Sequence, residues 1–322
     1  MKYRKLGKTE LTVSEIGYGA WGVGGGMWQG SDDKESIEAL HAAIDEGVTF
    51  IDTALEYGNG HSEKLVGEIL RNRNEEIYVA TKAPPKNGRW PAHPDIPVKE
   101  VFPHDHIVES TEQSLHNLNV DRIDILQLHV WHDNFLTQNG WLDAVAKLKD
   151  EEKIRSFGIS VNDHEPHNAV QVVEQGIVDT IQVIYNIFDQ SPEEALFPAC
   201  MKNNIGVIVR VPFDEGGLTG KVTPETAFPR RDWRNRYFRG DRKQQVWERV
   251  QKLEPLLGDE AKTLPELALR FCLSHPAVST VIPGMRTVKN VHANCNVSDG
   301  RLLSDELRNE LKGHQWQRNF YE

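Results

Sequence analysis

An apolar, β-branched run followed by a helical stretch recurs eight times along this chain, and no other feature restricts its fold as much. The runs fall at 13–18, 48–52, 77–81, 123–128, 155–159, 179–184, 205–209 and 278–282. The helical stretches fall at 33–46, 62–71, 105–119, 141–152, 164–175, 192–203, 243–257 and 287–296, with one more at 263–274. Strands that alternate with helices make parallel sheet, because a parallel crossover needs a long return segment. Eight such units in 322 residues predict a closed (β/α)8 TIM barrel. Residues 2–14 stand apart from this series. They alternate around Gly7-Lys8-Thr9-Glu10 and predict an N-terminal β-hairpin. No repeat and no compositional break divides residues 1–322, so one domain is expected.

Three of the predicted strands end on, or just before, a side chain that is costly to bury alone. Val48-Thr49-Phe50-Ile51 runs into Asp52 and then a short loop with Tyr57 before Gly58. Ile77 to Thr81 runs into Lys82, and Ile123 to Leu128 runs into His129. In a parallel barrel the C-terminal strand ends converge on one mouth, where chemistry resides. An acid, a phenol, an amine and an imidazole are therefore expected to meet there.

Their combined chemistry is proton transfer. A free tyrosine titrates near 10 and a free lysine near 10.4, so neither alone suits neutral pH. An ammonium beside the phenol is expected to lower the Tyr57 pKa, with Asp52 holding Lys82 charged. His129 would share a substrate oxygen with Tyr57. Such a phenol can protonate a carbonyl oxygen as negative charge develops on it, and carbonyl reduction needs that acid. The hydride must come from a cofactor.

Composition limits the other possibilities. The chain is 39% hydrophobic and 26% charged with a net charge of −11, which argues against disorder and against a general nucleic-acid surface. No apolar run is long enough to span a bilayer. The start, Met1-Lys2-Tyr3-Arg4-Lys5-Leu6-Gly7-Lys8, has no signal-peptide core. Cys200, Cys272 and Cys295 have neither metal-ligand spacing nor an even count. These features predict a cytoplasmic protein with reduced thiols and no membrane partner.

Gly17-Tyr18-Gly19-Ala20-Trp21-Gly22 matches the G-x-G-x-x-G pattern, but that fingerprint needs a helix to begin at the glycines. Here Gly24-Gly25-Gly26 and Gly30 follow, and the helix signal comes only at Ser31-Asp32-Asp33-Lys34-Glu35. A Rossmann turn is therefore not expected. Two long loops are candidates for function. Residues 83–104 hold six of the sixteen prolines, plus Trp90 and His93, and should overhang the mouth. Residues 221–243 hold eight Lys/Arg against three Asp/Glu, a net of +5 by subtraction. That loop is either a solvated surface or a basic cover over an anionic ligand.

Asp52-Thr53-Ala54 with Tyr57-Gly58, then Ala80-Thr81-Lys82, then Leu128-His129, resemble the aldo-keto reductases. So do Gly19-Ala20-Trp21-Gly22, Ser62-Glu63, Gly158-Ile159-Ser160, Gly217-Leu218-Thr219-Gly220-Lys221 and Ile282-Pro283-Gly284. The pattern is similar to the bacterial general-stress and inositol-linked branches. The resemblance implies a catalytic tetrad of Asp52, Tyr57, Lys82 and His129, with Tyr57 as acid. It also implies NADP(H) lying across the mouth, NADPH favoured over NADH. By the same resemblance Ala20, Trp21 and Asp52 line the cofactor. Ser160 and Gln182 hold its carboxamide, and Ser160-Val161-Asn162 departs from the Ser-Asn pair many members carry. Arg210 stands where a stacking tyrosine is common, followed by Pro212. Gly217, Leu218, Gly220 and Lys221 lie along the pyrophosphate. Gly284, Arg286, Asn290 and Asn294 meet the adenosine phosphate, with Arg286 the 2′-phosphate partner.

The implied partner is a small-molecule carbonyl compound: an aldehyde, ketone or sugar. Trp21, Trp28, loop 83–104, Trp131, His132, Trp316, Phe320 and Tyr321 are the expected pocket walls. Two other readings remain at this level. Members resembling potassium-channel β-subunits bind nicotinamide with little turnover and act as regulatory subunits. A metal-dependent hydrolase would use His129, His132 and Asp133, whose spacing does not make a helical ligand pair.

Overall fold

The computed structural model describes residues 1–30, 32–317, 319 and 321. A two-stranded antiparallel hairpin, β1 (Tyr3–Lys5) and β2 (Thr12–Ser14), precedes eight parallel strands. These are β3 (Tyr18–Gly19), β4 (Phe50–Asp52), β5 (Tyr78–Ala83), β6 (Ile123–Leu128), β7 (Ile154–Ser160), β8 (Thr180–Ile184), β9 (Gly206–Arg210) and β10 (Val278–Val281). Each of the eight pairs with its neighbour in chain order. The seam closes through single parallel bridges, Ile16 to Val281 and Gly19 to Gly284. Gly17 N–H donates to Val281 O at 2.8 Å across it, and Val281 N–H to Glu15 O at 2.9 Å. The sheet is thus the (β/α)8 barrel that the alternation predicts. Among the described residues no helix is long and apolar enough to cross a membrane.

Side chains alternate across each strand with a period of two, and this sorts the barrel into layers. Ile51, Val79, Leu126, Ile181 and Val183 belong to the large core between strands and helices. Phe50, Tyr78, Ala80, Ile125, Ile208 and Ile282 form a second cluster with Leu6, Leu11 and Val13 of the hairpin. The hairpin therefore plugs the floor of the barrel with three buried aliphatic side chains, each worth roughly 1.5–3 kcal/mol of burial. Its turn sits hard against the floor. Gly7 has φ +55°, and a Cβ there would lie 2.1 Å from the backbone nitrogen of Gly206. Two places further along β4 and β5 than Phe50 and Ala80, the same inward faces carry Asp52 and Lys82.

Several elements differ from the expectation. The run at 13–18 is not one strand. Val13 faces the plug, Ser14 exchanges hydrogen bonds with Thr49, Ile16 makes a single bridge to Val281, and only Tyr18–Gly19 pairs with β4. β5 continues through Lys82 to Ala83. The helix expected at 164–175 is a 3₁₀ turn at Pro166–Ala169 followed by Val170–Glu174. Its start is delayed by His164 at φ +62° and set by Pro166. Short helices at Val98–Val101 and Arg234–Tyr237 interrupt the two long loops, and Asp305–Lys312 adds a C-terminal helix. Asp32 caps the first long helix, accepting from Glu35 N–H, while Ser31 lies outside the described residues.

Candidate active site

The predicted proton-handling residues converge at the barrel mouth. Lys82 Nζ, fully buried, donates to Asp52 Oδ2 at 2.7 Å, Thr53 O at 2.8 Å and Tyr57 Oη at 3.2 Å. These three acceptors account for all three ammonium protons. Asp52 is fixed from its other oxygen by Gln182 Nε2 at 2.7 Å and Gln127 Nε2 at 3.4 Å. Gln127 and Gln182 follow the inward-facing Ile125 and Thr180 by two residues, so strand period alone brings them to this layer. The Tyr57 ring lies 5.6 Å from the His129 ring, and Trp90 packs edge-on to His129 at 4.5 Å.

The loop carrying Tyr57 is fastened from behind. Thr53 Oγ1 donates to Ser62 Oγ at 2.9 Å, and Ser62 Oγ donates to Ala20 O at 3.0 Å. The buried Glu63 accepts from Thr81 Oγ1 at 2.6 Å and Asn117 Nδ2 at 2.8 Å. Ser62 and Glu63 thereby tie the strand ends of β3, β4 and β5 to one helix start.

Burial changes the electrostatics from the expected pattern. It raises the Tyr57 pKa; Lys82 pulls it down and Asp52 pushes it up, and the net direction is upward. The expectation of a lowered phenol pKa is therefore corrected: desolvation outweighs the lysine. Tyr57 is a protonated phenol near neutrality. Burial opposes charge on Lys82, but Asp52 and Tyr57 outweigh it and raise the amine pKa. Burial, then Lys82 and Arg210, hold the His129 pKa well below its ordinary value, so the imidazole is neutral. Its buried Nδ1 has no hydrogen-bond partner among the described residues.

The remaining predicted positions surround this centre. Ala20 is fully buried with its N–H on Asp52 O at 2.9 Å, and Trp21 stands 6.3 Å from the Tyr57 ring. Ser160 and Gln182 are register partners on β7 and β8. Arg210 closes β9, and its Nη2 donates to Val161 O at 2.8 Å and Asp163 Oδ1 at 2.5 Å. Pro212 is buried beyond it, after Val211 at φ +55°. Gly217 and Leu218 are buried in a turn that ends on the exposed Gly220 and Lys221. Gly284 and Asn290 are exposed and Asn294 is buried. Arg286 Nη1 donates to Gln29 O at 3.2 Å, and its guanidinium lies 5.8 Å from the Trp28 ring. Burial and the nearby Arg234 cation lower its pKa.

Two loops cross the mouth together. Trp233 N–H donates to Met27 O at 2.7 Å and Gln29 N–H to Asp232 Oδ2 at 3.2 Å. Arg234 forks onto Asp232 at 2.8 Å and packs on Trp28 at 4.4 Å. The basic loop is thus tied to the loop at 27–29 through Asp232, Trp233 and Arg234, while five of its eight cations, Lys221, Arg230, Arg231, Arg236 and Arg239, remain exposed. Asn162 is a strut that the pattern did not foretell. It exchanges hydrogen bonds with the Ala92 peptide at 3.0 and 3.1 Å, accepts from Trp131 N–H at 3.4 Å, and so pins the proline-rich loop. Trp131 is no pocket wall: it is fully buried and its indole donates to Asn168 O at 3.0 Å. Phe320 lies outside the described residues. His132 pairs with Asp133 at 2.9 Å, and among the described residues no three metal-ligating side chains converge. Cys200, Cys272 and Cys295 are buried and free.

The model of the aldo/keto reductase family matches residues 15–315. The aldo-keto reductase YhdN of Bacillus subtilis (strain 168) is 32% identical over 316 residues, covering 96% of this chain and 92% of that protein. The NADH-specific methylglyoxal reductase of Escherichia coli (strain K12) is 31% identical over 308 residues, covering 91% and 92%. Among solved structures, the holo form of aldo-keto reductase AKR11C1 from Bacillus halodurans superposes with a TM-score of 0.79 at 27% identity, over 100% of both chains.

Proposed function

The chain belongs to the aldo/keto reductase family, and on that premise we propose that it reduces an aldehyde, ketone or sugar carbonyl to the alcohol with NADPH, Tyr57 being the general acid. The observation that carries this reading is the buried ammonium of Lys82, set between Asp52 at 2.7 Å and the Tyr57 hydroxyl at 3.2 Å. The phenol holds its proton until a carbonyl oxygen with growing negative charge draws it off. As the proton leaves, Lys82 stabilises the phenolate left behind, and Asp52 keeps Lys82 charged throughout. His129 is neutral and has no acceptor for Nδ1, so its proton resides on Nε2 and is offered to the same oxygen. The Trp90 ring lies 4.5 Å from His129 and the Trp21 ring 6.3 Å from Tyr57, at the rim of that position.

The residues fit a nicotinamide dinucleotide phosphate. Among the described residues Arg286 has no ion-pair partner within 4.0 Å; the nearby Arg234 cation acts on it more strongly than the Asp232 and Glu35 carboxylates. A guanidinium with no direct carboxylate contact suits a 2′-phosphate dianion. When bound, the cofactor supplies the hydride that no side chain can. Ser160 and Gln182 would orient its ring end, with the turn at Gly217, Leu218, Gly220 and Lys221 along its phosphates and Asn290 and Asn294 at its adenosine end. One relative is named for NADH specificity, so the preference for NADPH rests on Arg286. The substrate is a small carbonyl compound met in the cytoplasm.

The test is a fluorescence titration with NADPH and NADH, followed by turnover of a carbonyl panel. NADPH should bind at least ten-fold more tightly, a difference of about 1.4 kcal/mol. Tyr57→Phe should bind NADPH within two-fold of the unaltered protein and lower kcat by roughly 10²- to 10⁴-fold. Full activity in that variant would exclude the acid.

A further inference from the structure

Arg210 is gripped at one corner only. Its Nη2 donates to both Val161 O and Asp163 Oδ1, while Nε is buried and has no acceptor among the described residues. Nε is closed off by the protein, so the donor open to a ligand is Nη1, which is not closed off in this way and makes no hydrogen bond among the described residues. The site Arg210 stands beside is the one described above, since its charge is felt by both Tyr57 and His129. The second carboxylate oxygen of Asp163 accepts from Tyr321 Oη at 3.0 Å. Tyr321 reaches this point from the far end of the chain, and the tail that carries it is anchored on the way. Trp316 N–H donates to Phe188 O at 2.7 Å, and its indole lies between Arg242 at 4.7 Å and Arg249 at 4.3 Å. Gln317 Nε2 donates to His164 O at 3.0 Å, and Arg236 of the loop over the mouth lies 5.9 Å from the Tyr321 ring.

We propose that Tyr321 is a positioning residue: through Asp163 it seats Arg210, whose free donor then takes the carboxamide oxygen of the nicotinamide ring. The inference rests on the nicotinamide-dependent reading of the site and names the residues that hold the ring end. It accounts for two departures from the family pattern together. Val161 has no side-chain donor where many members carry asparagine, and Asn162 is occupied by the Ala92 peptide. Arg210 fills the missing role, and the chain's last turn sets its angle. The tail thereby acts on the cofactor as well as on the substrate opening.

The two halves of the cofactor separate this role from a merely structural one. Tyr321→Phe keeps the ring under Arg236 and removes only the hydroxyl. Its dissociation constant for NADPH should rise roughly three- to ten-fold, less than the full worth of a hydrogen bond to a charged group because the lost hydroxyl acts on the cofactor only through Asp163 and Arg210. Its dissociation constant for 2′,5′-ADP, which lacks the nicotinamide, should stay within two-fold. Asp163→Ala, which frees Arg210 outright, should show the same split and a larger loss. An equal loss for both ligands would mean a general disturbance of the mouth and would overturn the proposal, as would no loss for either. If the unaltered protein binds 2′,5′-ADP but neither NADPH nor NADH, the nicotinamide-dependent reading itself falls.

Discussion

Replacing Lys82 by methionine keeps the length of the side chain, removes the charge and strands a buried carboxylate. At 2.7 Å the attraction between Lys82 and Asp52 is about 6 kcal/mol with an effective dielectric of about 20. Burying two ions costs several kcal/mol each, so the intact pair is close to break-even against apolar residues. Removing one partner is different, because Asp52 is left buried with Gln182 and Gln127 as its side-chain donors. The variant should lose about 3–5 kcal/mol at pH 7. Urea unfolding followed by tryptophan fluorescence measures this, with Asp52→Asn/Lys82→Met as the control. The double variant should regain at least half of the loss. A deficit below about 1 kcal/mol, the range of exposed pairs, or one that Asp52→Asn does not relieve, would refute the claim of a desolvated ion pair.

Asn162→Ala should lower stability by about 2–4 kcal/mol, since the Ala92 peptide and Trp131 N–H lose their partner in a buried place. The same variant should admit protease into residues 84–97 and raise KM for the carbonyl while leaving the NADPH dissociation constant alone; a KM that does not move would show that Trp90 is held by something else. Burial, then the Asp163 and Asp214 carboxylates, pushes the Glu215 pKa up to about 8. A raised carboxyl pKa stabilises the fold below about 4.3 and loses that contribution as pH rises through 8. Glu215→Gln should accordingly melt about 2–4 °C higher than the unaltered protein at pH 9, by roughly 1 kcal/mol, and the gap should close toward pH 5; parallel melting profiles would contradict it.

What the sequence discloses and what it hides depend on the range of the physics involved. Asp52 and Lys82 are legible because strand period is local: each stands two residues beyond an inward-facing neighbour, and parallel strands deliver them to one level. Gln127 and Gln182 obey the same period, yet only the family resemblance points to Gln182 and nothing in the sequence singles out Gln127. The barrel is legible for the same reason. The direction of the Tyr57 pKa is not, because Lys82 and burial act in opposite senses and only the finished fold says which is larger. Trp90 and Trp131 read alike in the sequence, both in loops after strands. One packs on His129 and the other hands its N–H to Asn168, a choice made by contacts tens of residues away. Arg210 and Asp163 are 47 residues apart and Asp163 and Tyr321 are 158 apart, so no local pattern could join them. The run at 13–18 misled because it is continuous in hydropathy while its residues serve two structures, the plug and the barrel.

That division between plug and barrel explains how the catalytic layer is tolerated. A lysine and an aspartate in the middle of a barrel need a dry setting to interact strongly and complete hydrogen bonding to remain charged. Leu6, Leu11 and Val13 close the floor beneath Phe50, Tyr78, Ile125, Ile208 and Ile282 with apolar side chains. Above that layer every ammonium proton of Lys82 has an acceptor and both Asp52 oxygens have donors. Tyr57 differs: its hydroxyl accepts from Lys82 at 3.2 Å, the longest of the three contacts made by that ammonium, and among the described residues it donates no hydrogen bond of its own. On the proposed reading the phenol's proton is the one given to a substrate at the mouth, and the satisfied charges around Tyr57, with the apolar floor beneath them, are what support it.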